Sequence, residues 1–187
     1  MRKCRICSNT ALEKILSLGQ QPLVNQYLSS SNEPTMLYPL ELFRCTNCEL
    51  LQLGEIIPKE KLYPDDYPYI PSVSKTNLAH FEDIAQTLIK EQNLMSKSLI
   101  VDIGSNDGSL LECFAKRKME VVGIEPAKKL AKIARQKGIE TYHEFISPEI
   151  AREIVKKHGK AKVILMTNVM AHVDNLHELL ECLDILL

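Results

Sequence analysis

Acidic and glycine residues share the segment Asp102-Ile103-Gly104-Ser105-Asn106-Asp107-Gly108. It directly follows the β-forming run Leu99-Ile100-Val101 and precedes an apolar helical pattern that starts at Ser109. A strand that ends in a glycine turn and re-enters as a helix aims backbone N–H groups and a helix N-terminus at a ligand's polar groups. Val121-Val122-Gly123-Ile124-Glu125 then reads as a second buried strand, with a carboxylate at its C-terminal end. Ligands of open parallel sheets sit outside the carboxyl ends of the strands, where such an acid can accept both hydroxyls of a ribose. The spacing Gly104-x-x-x-Gly108 departs from the G-x-G-x-x-G of dinucleotide sites. It places Asn106 and Asp107 in the turn, so a carboxylate would confront any phosphate. An anionic turn suits a cationic nucleoside. Two glycines also occur in strand–helix turns for steric reasons alone; Glu125 at this distance weighs against that blander reading.

A second chemistry is written at the amino terminus. Cys4-x-x-Cys7 and Cys45-x-x-Cys48 are two clips of matched spacing. Each can set two thiolates on one side of a tetrahedral ion, and together they complete a closed four-sulfur site of the structural zinc kind. Such a site leaves no open position for water, so the zinc is structural rather than catalytic. The alternative is four reduced thiols packed as small hydrophobes, which paired spacing disfavours. Cys113 and Cys182 fall on apolar helical faces and read as core thiols.

These residues need elements to hold them. Leu78, Phe81, Ile84, Ala85, Leu88 and Ile89 recur at helical spacing, predicting an amphipathic helix over a sheet. Strands are then expected at 99–103, 121–125, 141–145 and 162–167, and helices at 109–116, 127–137, 148–158 and 174–187. This alternation predicts an α/β fold: a Rossmann-like parallel sheet with helices on both faces. A small β-rich zinc-binding module precedes it. Expected boundaries are 1–58 for the module, 59–74 for a Pro- and Tyr-rich linker or lid loop, and 75–187 for the α/β domain. The final strand carries the apolar sequence of a buried strand, and the chain stops inside an apolar helix. The sheet is therefore expected to be incomplete, the chain truncated at its C-terminus. Homodimerisation at that edge, or a missing C-terminal domain supplied elsewhere, would finish it.

At the carboxyl ends of those strands lie further candidates. His172 follows Asn168-Val169 beyond the fourth strand, where a neutral imidazole can act as a base or donate to a developing oxyanion. Asn168 lies at the same end of the sheet, and Phe145, ending the third strand, is a ring that can stack on a base. His80, His158 and His177 sit in charge-rich helical surroundings and read as solvated surface. Composition bounds the rest. The chain has 187 residues, 45% apolar and 25% charged, with a net charge of -1, which offers nucleic acid no basic footprint. No apolar run is long enough to span a bilayer, and the start lacks the apolar core of a signal peptide. A cytoplasmic protein follows as the expectation.

The order of motifs resembles the zinc-containing sugar-nucleotide C-methyltransferases, which use S-adenosylmethionine. The matching stretches are Cys4-Arg5-Ile6-Cys7, Leu18-Gly19-Gln20-Gln21-Pro22-Leu23-Val24-Asn25, Tyr38-Pro39-Leu40, Cys45-Thr46-Asn47-Cys48-Glu49-Leu50-Leu51-Gln52-Leu53, Tyr67-Pro68-Tyr69, Val101 to Gly108, Gly123-Ile124-Glu125-Pro126 and Thr167 to Val173. The resemblance implies that Asp102, Asn106 and Asp107 lie near the methionine part, that Asn168 faces the cofactor's methionine end, that Gly104 and Gly108 allow its close approach, and that Glu125 holds the ribose. It also implies catalytic roles for Tyr69, matching the tyrosine of the family's Tyr-x-Tyr segment, and for His172. The implied reaction is C-methylation of a nucleotide-linked keto-deoxysugar in surface-polysaccharide or glycoside biosynthesis. Two other readings stand beside it: a catalytically silent zinc- and cofactor-binding remnant, and a nicotinamide-dependent oxidoreductase, which the Asn106-Asp107 turn disfavours.

Overall fold

The computed structural model describes residues 2–187 and divides them into two compact units. The first takes in the chain up to Leu62 together with Asp174–His177; the second comprises Tyr63–Val173 and Glu178–Leu187.

The first unit is a three-stranded antiparallel sheet in the order β1 (Leu12–Pro22), β2 (Leu37–Cys45), β3 (Leu51–Leu53), with a short helix α1 (Lys59–Leu62). Leu12 pairs with Cys45 and Leu42 with Leu53. The strand β1 runs through Gly19-Gln20-Gln21-Pro22 because the register slips there, next to a left-handed Gly19 (φ 71°). Almost all of β1 is exposed, and the buried apolar side chains of this unit are Cys4, Phe43 and Cys45. So little apolar burial cannot offset the entropy of ordering some sixty residues, and the cysteines must contribute through what they bind.

The second unit opens with a 3-10 turn at Pro71–Val73 and α2 (Lys75–Glu91), whose N-cap Ser74 accepts from the Asn77 N–H. There follow β4 (Leu99–Ile103), α3 (Ser109–Ala115), β5 (Glu120–Ile124), α4 (Lys128–Gln136), β6 (Glu140–Tyr142), α5 (Pro148–His158), β7 (Val163–Leu165) and α6 (Leu176–Leu186). All four strands are parallel, in the order β6-β5-β4-β7. The chain steps outward from β4 to β6 and then crosses back, so the topological switch lies between β4 and β7. A crevice opens at such a switch.

Period-two alternation assigns the faces. Leu99, Val101 and Ile103 of β4 join Val122, Ile124, Ile154, Leu179 and Leu186 in one cluster under α5 and α6. Ile100 joins Leu110, Leu111, Phe114, Ala134 and Ile139 in the other, under α2, α3 and α4. Asp102 shares the parity of Ile100, so a carboxyl group enters the sheet on an apolar face. The strand expected at 162–167 pairs only over Val163–Leu165, because beyond it Asn168 turns left-handed (φ 57°) into a 3-10 turn at Met170–His172. His158 corrects its expected surface role. Its side chain is 8% exposed, with Nδ1 2.6 Å from Glu120 Oε1 and Nε2 3.3 Å from Glu140 Oε1. It fastens the end of α5 to the beginnings of β5 and β6.

Phe114 is fully buried at the centre of the second cluster. Truncation to Ala leaves a cavity there and is expected to cost about 3–5 kcal/mol, read as a lower urea midpoint with an unchanged slope.

Candidate functional site

The two cysteine clips fold into the same turn. In each, the first cysteine's carbonyl accepts from the residue four further on: Ser8 N–H to Cys4 O at 2.9 Å, Glu49 N–H to Cys45 O at 3.0 Å. In each, the first cysteine's own N–H donates five residues ahead, to Asn9 O at 2.8 Å and Leu50 O at 2.9 Å. Ser8 and Glu49 are both left-handed, at φ 59° and 62°. Buried Gln52 joins the first clip to β3: its Oε1 accepts from Arg5 N–H and its Nε2 donates to Lys3 O, each at 3.0 Å.

The four sulfurs lie within 4.8 Å of one another, with Cys4 and Cys48 at 3.4 Å and Cys7 and Cys45 at 3.5 Å. A tetrahedral zinc with bonds of about 2.3 Å spaces its sulfurs about 3.8 Å apart, so the four cysteines suit that ion. The thiols cannot all ionise without a cation. The backbone at Asn9 and the side chain of Asn47 hold Cys7 down to about 6. Cys48 behaves oppositely: the backbone at Leu50 favours its thiolate, yet burial and the sulfurs of Cys4, Cys7 and Cys45 push it up to about 12.

In the second unit, the glycine turn is built around Glu125. Its Oε2 accepts from Asn106 N–H and its Oε1 from Ala127 N–H, both at 2.8 Å, so one carboxylate ties the turn after β4 to the start of α4. Each oxygen keeps a further lone pair for a ligand hydroxyl. Gly104 and Gly108 are both left-handed at φ 74°, and a Cβ on Gly104 would lie 2.6 Å from Val169 Cγ2. The turns after β4 and β7 thus meet at the switch point. Asp102 is fully buried, and its Oδ1 has no hydrogen-bond partner. Gly123 sits opposite it in register, and a Cβ there would lie 2.5 Å from Ser105 Oγ. Burial and the facing Glu125 carboxylate push the Asp102 carboxyl well above its ordinary range. Burial also raises Glu125, against the pull of the Ala127 and Asn106 amides and of His143.

Asp107 departs from the anionic turn expected of it. Its Oδ2 is 3.0 Å from Lys137 Nζ and its Oδ1 accepts from Ser109 N–H at 3.2 Å. Burial raises its pKa, but Ser72, Ser109 and Lys137 outweigh that and hold it below the usual range. Its charge is matched inside the protein. The acids at this turn that burial raises instead are Asp102 and Glu125. Nothing in the sequence marked Lys137, one of many lysines on an amphipathic helix, as the partner that cancels Asp107.

The Tyr63–Val73 segment is fastened to these same groups. Asn106 Nδ2 donates to Tyr69 O at 3.1 Å, Lys129 N–H donates to Asp65 O at 2.9 Å, and His143 Nε2 stands 3.6 Å from Asp65 Oδ1. Tyr63 meets the Tyr67 ring at 5.5 Å and the Phe145 ring edge-on at 6.5 Å. The structure therefore brings Asp102, Gly104, Asn106, Gly108 and Glu125 together. Tyr69 is linked to them through its carbonyl, its ring being half exposed with its hydroxyl 3.3 Å from Asn77 Nδ2. Phe145 stands against Tyr63, while Asn168 and His172 are exposed on the turn after β7.

Comparison with known proteins decides the family. Residues 4–63 match a family model described as "Putative zinc binding domain", and residues 78–187, more than half of the chain, match one described as "Methyltransferase domain". The chain belongs to this methyltransferase family. Over 99% of its length it is 29% identical to the C-methyltransferase NovU of Streptomyces niveus, of which it spans 44%. A search of solved structures found the plantazolicin methyltransferase BamL, crystallised with a triazolic desmethylPZN analogue and SAH. That pair is 20% identical, with a TM-score of 0.48, over 60% of this chain and 43% of that one.

The cofactors of this methyltransferase are zinc, for which Cys4, Cys7, Cys45 and Cys48 form a cluster able to hold a metal ion, and S-adenosylmethionine. The donor set fits the latter. A buried carboxyl lacking a partner and a second carboxyl with spare lone pairs suit a cationic sulfonium nucleoside and repel a pyrophosphate. Among the described residues, no helix is long and apolar enough to cross a membrane.

Cys45→Ser is expected to abolish zinc retention, measured by metal analysis, and to unfold the first unit. Asp102→Asn tests the unpartnered carboxyl. A carboxyl raised in the folded state stabilises below its unfolded pKa of about 3.9 and costs stability as pH rises through its folded value. The amide lacks that cost. The variant is therefore expected to melt higher than the parent at pH 8 and to lose its advantage near pH 4, while binding S-adenosylhomocysteine more weakly.

Proposed function

We propose that this methyltransferase acts in S-adenosylmethionine-dependent C-methylation of a nucleotide-linked keto-deoxysugar, in the cytoplasm, within surface-polysaccharide or glycoside biosynthesis. Identity with the C-methyltransferase NovU that runs through both units is the observation that carries this reading. The Asp102–Glu125 pair supports it, and the motif order set out above supports the sugar. The boundaries 1–58, 59–74 and 75–187 remain our reading of zinc module, covering segment and cofactor domain.

When bound, S-adenosylmethionine supplies an electrophilic methyl group on a sulfonium. This chain's residues do the rest. Glu125 takes the ribose hydroxyls with the lone pairs that its two amide bonds leave. Asp102 offers its unpartnered carboxyl oxygen to the methionine side, where Asn168 also lies. Gly104 and Gly108 keep side chains out of the turn, and Phe145 backs the adenine. C-methylation requires a carbanion beside the ketone, so a base must remove that α proton. His172, exposed beyond β7, is the residue for that step, with Tyr69 assisting proton transfer on the sugar side. Asp107, neutralised by Lys137, holds the turn rather than the ligand.

The rival is a module that holds zinc and cofactor without turnover. Calorimetry with S-adenosylhomocysteine is expected to show binding that Glu125→Ala weakens at least about tenfold, the loss of two hydroxyl bonds to a charged acceptor. Keto-sugar nucleotides incubated in D2O should then exchange the α proton, and His172→Ala should stop the exchange. Binding without exchange or methyl transfer would leave the rival standing. No binding at all would overturn both.

A further inference from the structure

Asn106 makes more bonds than a ligand-binding residue needs. It is left-handed (φ 52°), and three of its polar groups are hydrogen-bonded, two of them to distant parts of the chain. Its N–H donates to Glu125 Oε2 at 2.8 Å, at the end of β5. Its Nδ2 donates to Tyr69 O at 3.1 Å, across 37 positions of chain. Its Oδ1 accepts from Asp107 N–H at 2.8 Å. Ser72, further along the same segment, helps to lower the pKa of the neighbouring Asp107. The 63–72 segment is thus fastened to the glycine turn through the backbone of Tyr69.

We infer that Asn106 is a positioning residue: it relays occupancy of the Glu125 carboxylate to the Tyr63–Ser72 segment, so that cofactor binding sets the substrate-side tyrosine. This rests on the cofactor reading above and adds to it. A ribose bound at Glu125 fixes the carboxylate, the carboxylate fixes the Asn106 N–H, and a fixed Asn106 holds its amide against Tyr69 O. Asn106 thus joins the Glu125 carboxylate, through its N–H, to the Tyr69 carbonyl, through its carboxamide. An amide side chain suits the post because it offers a donor and an acceptor at once and tolerates the left-handed conformation. That conformation is what lets its N–H and its side chain address different strands.

Tyrosine emission reads the segment directly. The chain has no tryptophan, and three of its six tyrosines, Tyr63, Tyr67 and Tyr69, lie in the segment. Asn106→Gly keeps the left-handed backbone and the N–H to Glu125 but removes both side-chain bonds. Asn106→Asp keeps the shape and the acceptor while turning the donor into an oxygen that faces a carbonyl, so it decides the matter if the glycine variant melts early. In the parent, saturating S-adenosylhomocysteine is expected to change tyrosine emission and to slow amide exchange across 63–72 by about tenfold, the range that one or two hydrogen bonds supply. In both variants, saturated with the same ligand as judged by calorimetry, the emission change should vanish and the slowing fall below about twofold. Variants that respond like the parent would overturn the relay while leaving the cofactor site intact. A parent that binds the ligand with no response in the segment would do the same. A parent that does not bind at all removes the cofactor reading, and the relay with it.

Discussion

A carboxyl group buried in the middle of a sheet without a partner is a standing electrostatic cost. The turn after β4 and the facing position of β5 are arranged around that cost. Asp102 has the side-chain parity of Ile100, so the period of the strand carries it onto an apolar face with no freedom to turn away. Glycine opposite it and a serine hydroxyl over that glycine keep the space around it small, and a second carboxyl across the turn disfavours its charged form. Such an arrangement trades stability for readiness to receive positive charge. Asp107 shows the contrasting solution one turn away, where a lysine and two hydroxyl-bearing residues quiet a buried acid. Two acids five residues apart thus have opposite surroundings, decided by a cation thirty residues away in sequence but adjacent in the fold.

The first unit meets a different shortage. Its sheet leaves one long strand almost wholly in water, and its few buried apolar groups are largely cysteines. What a hydrophobic core does for the α/β unit, four sulfurs and an ion do here. Gln52 is the side chain that makes this a single object. By bonding Arg5 and Lys3 it docks a clip whose neighbours in sequence are loops onto the edge of β3.

Most strand and helix positions in the second unit were legible because their periodicities are long and uninterrupted, but β6 ends at Tyr142, so Phe145 lies beyond the strand it was expected to end. The turn at Gly104–Gly108 and the acid at Glu125 were legible because strand-end chemistry is local. Clip spacing revealed the metal site for the same reason. What stayed hidden was pairing. Lys137 with Asp107, His158 between Glu120 and Glu140, and Asn106 with Tyr69 all join residues far apart in the chain. No local pattern distinguishes such a lysine or histidine from its solvated neighbours, so His158 read as surface and Asp107 as an open charge. The early end of β7 was hidden too, since Met166 and Thr167 suit a strand and only the left-handed Asn168 takes the chain elsewhere.

The twin turns around Cys4 and Cys45 bear on how the metal site assembles. Each closes with main-chain bonds that reach no more than five residues, so each thiol pair can be shaped before anything distant has met it. Joining the pairs requires closing the long span between them, a slow and entropically opposed event beside the nanosecond chemistry of a local bend. An ion caught first by one knuckle would therefore wait, half coordinated, for ribosomal synthesis to deliver the other. Any competitor for soft cations has that interval in which to intervene.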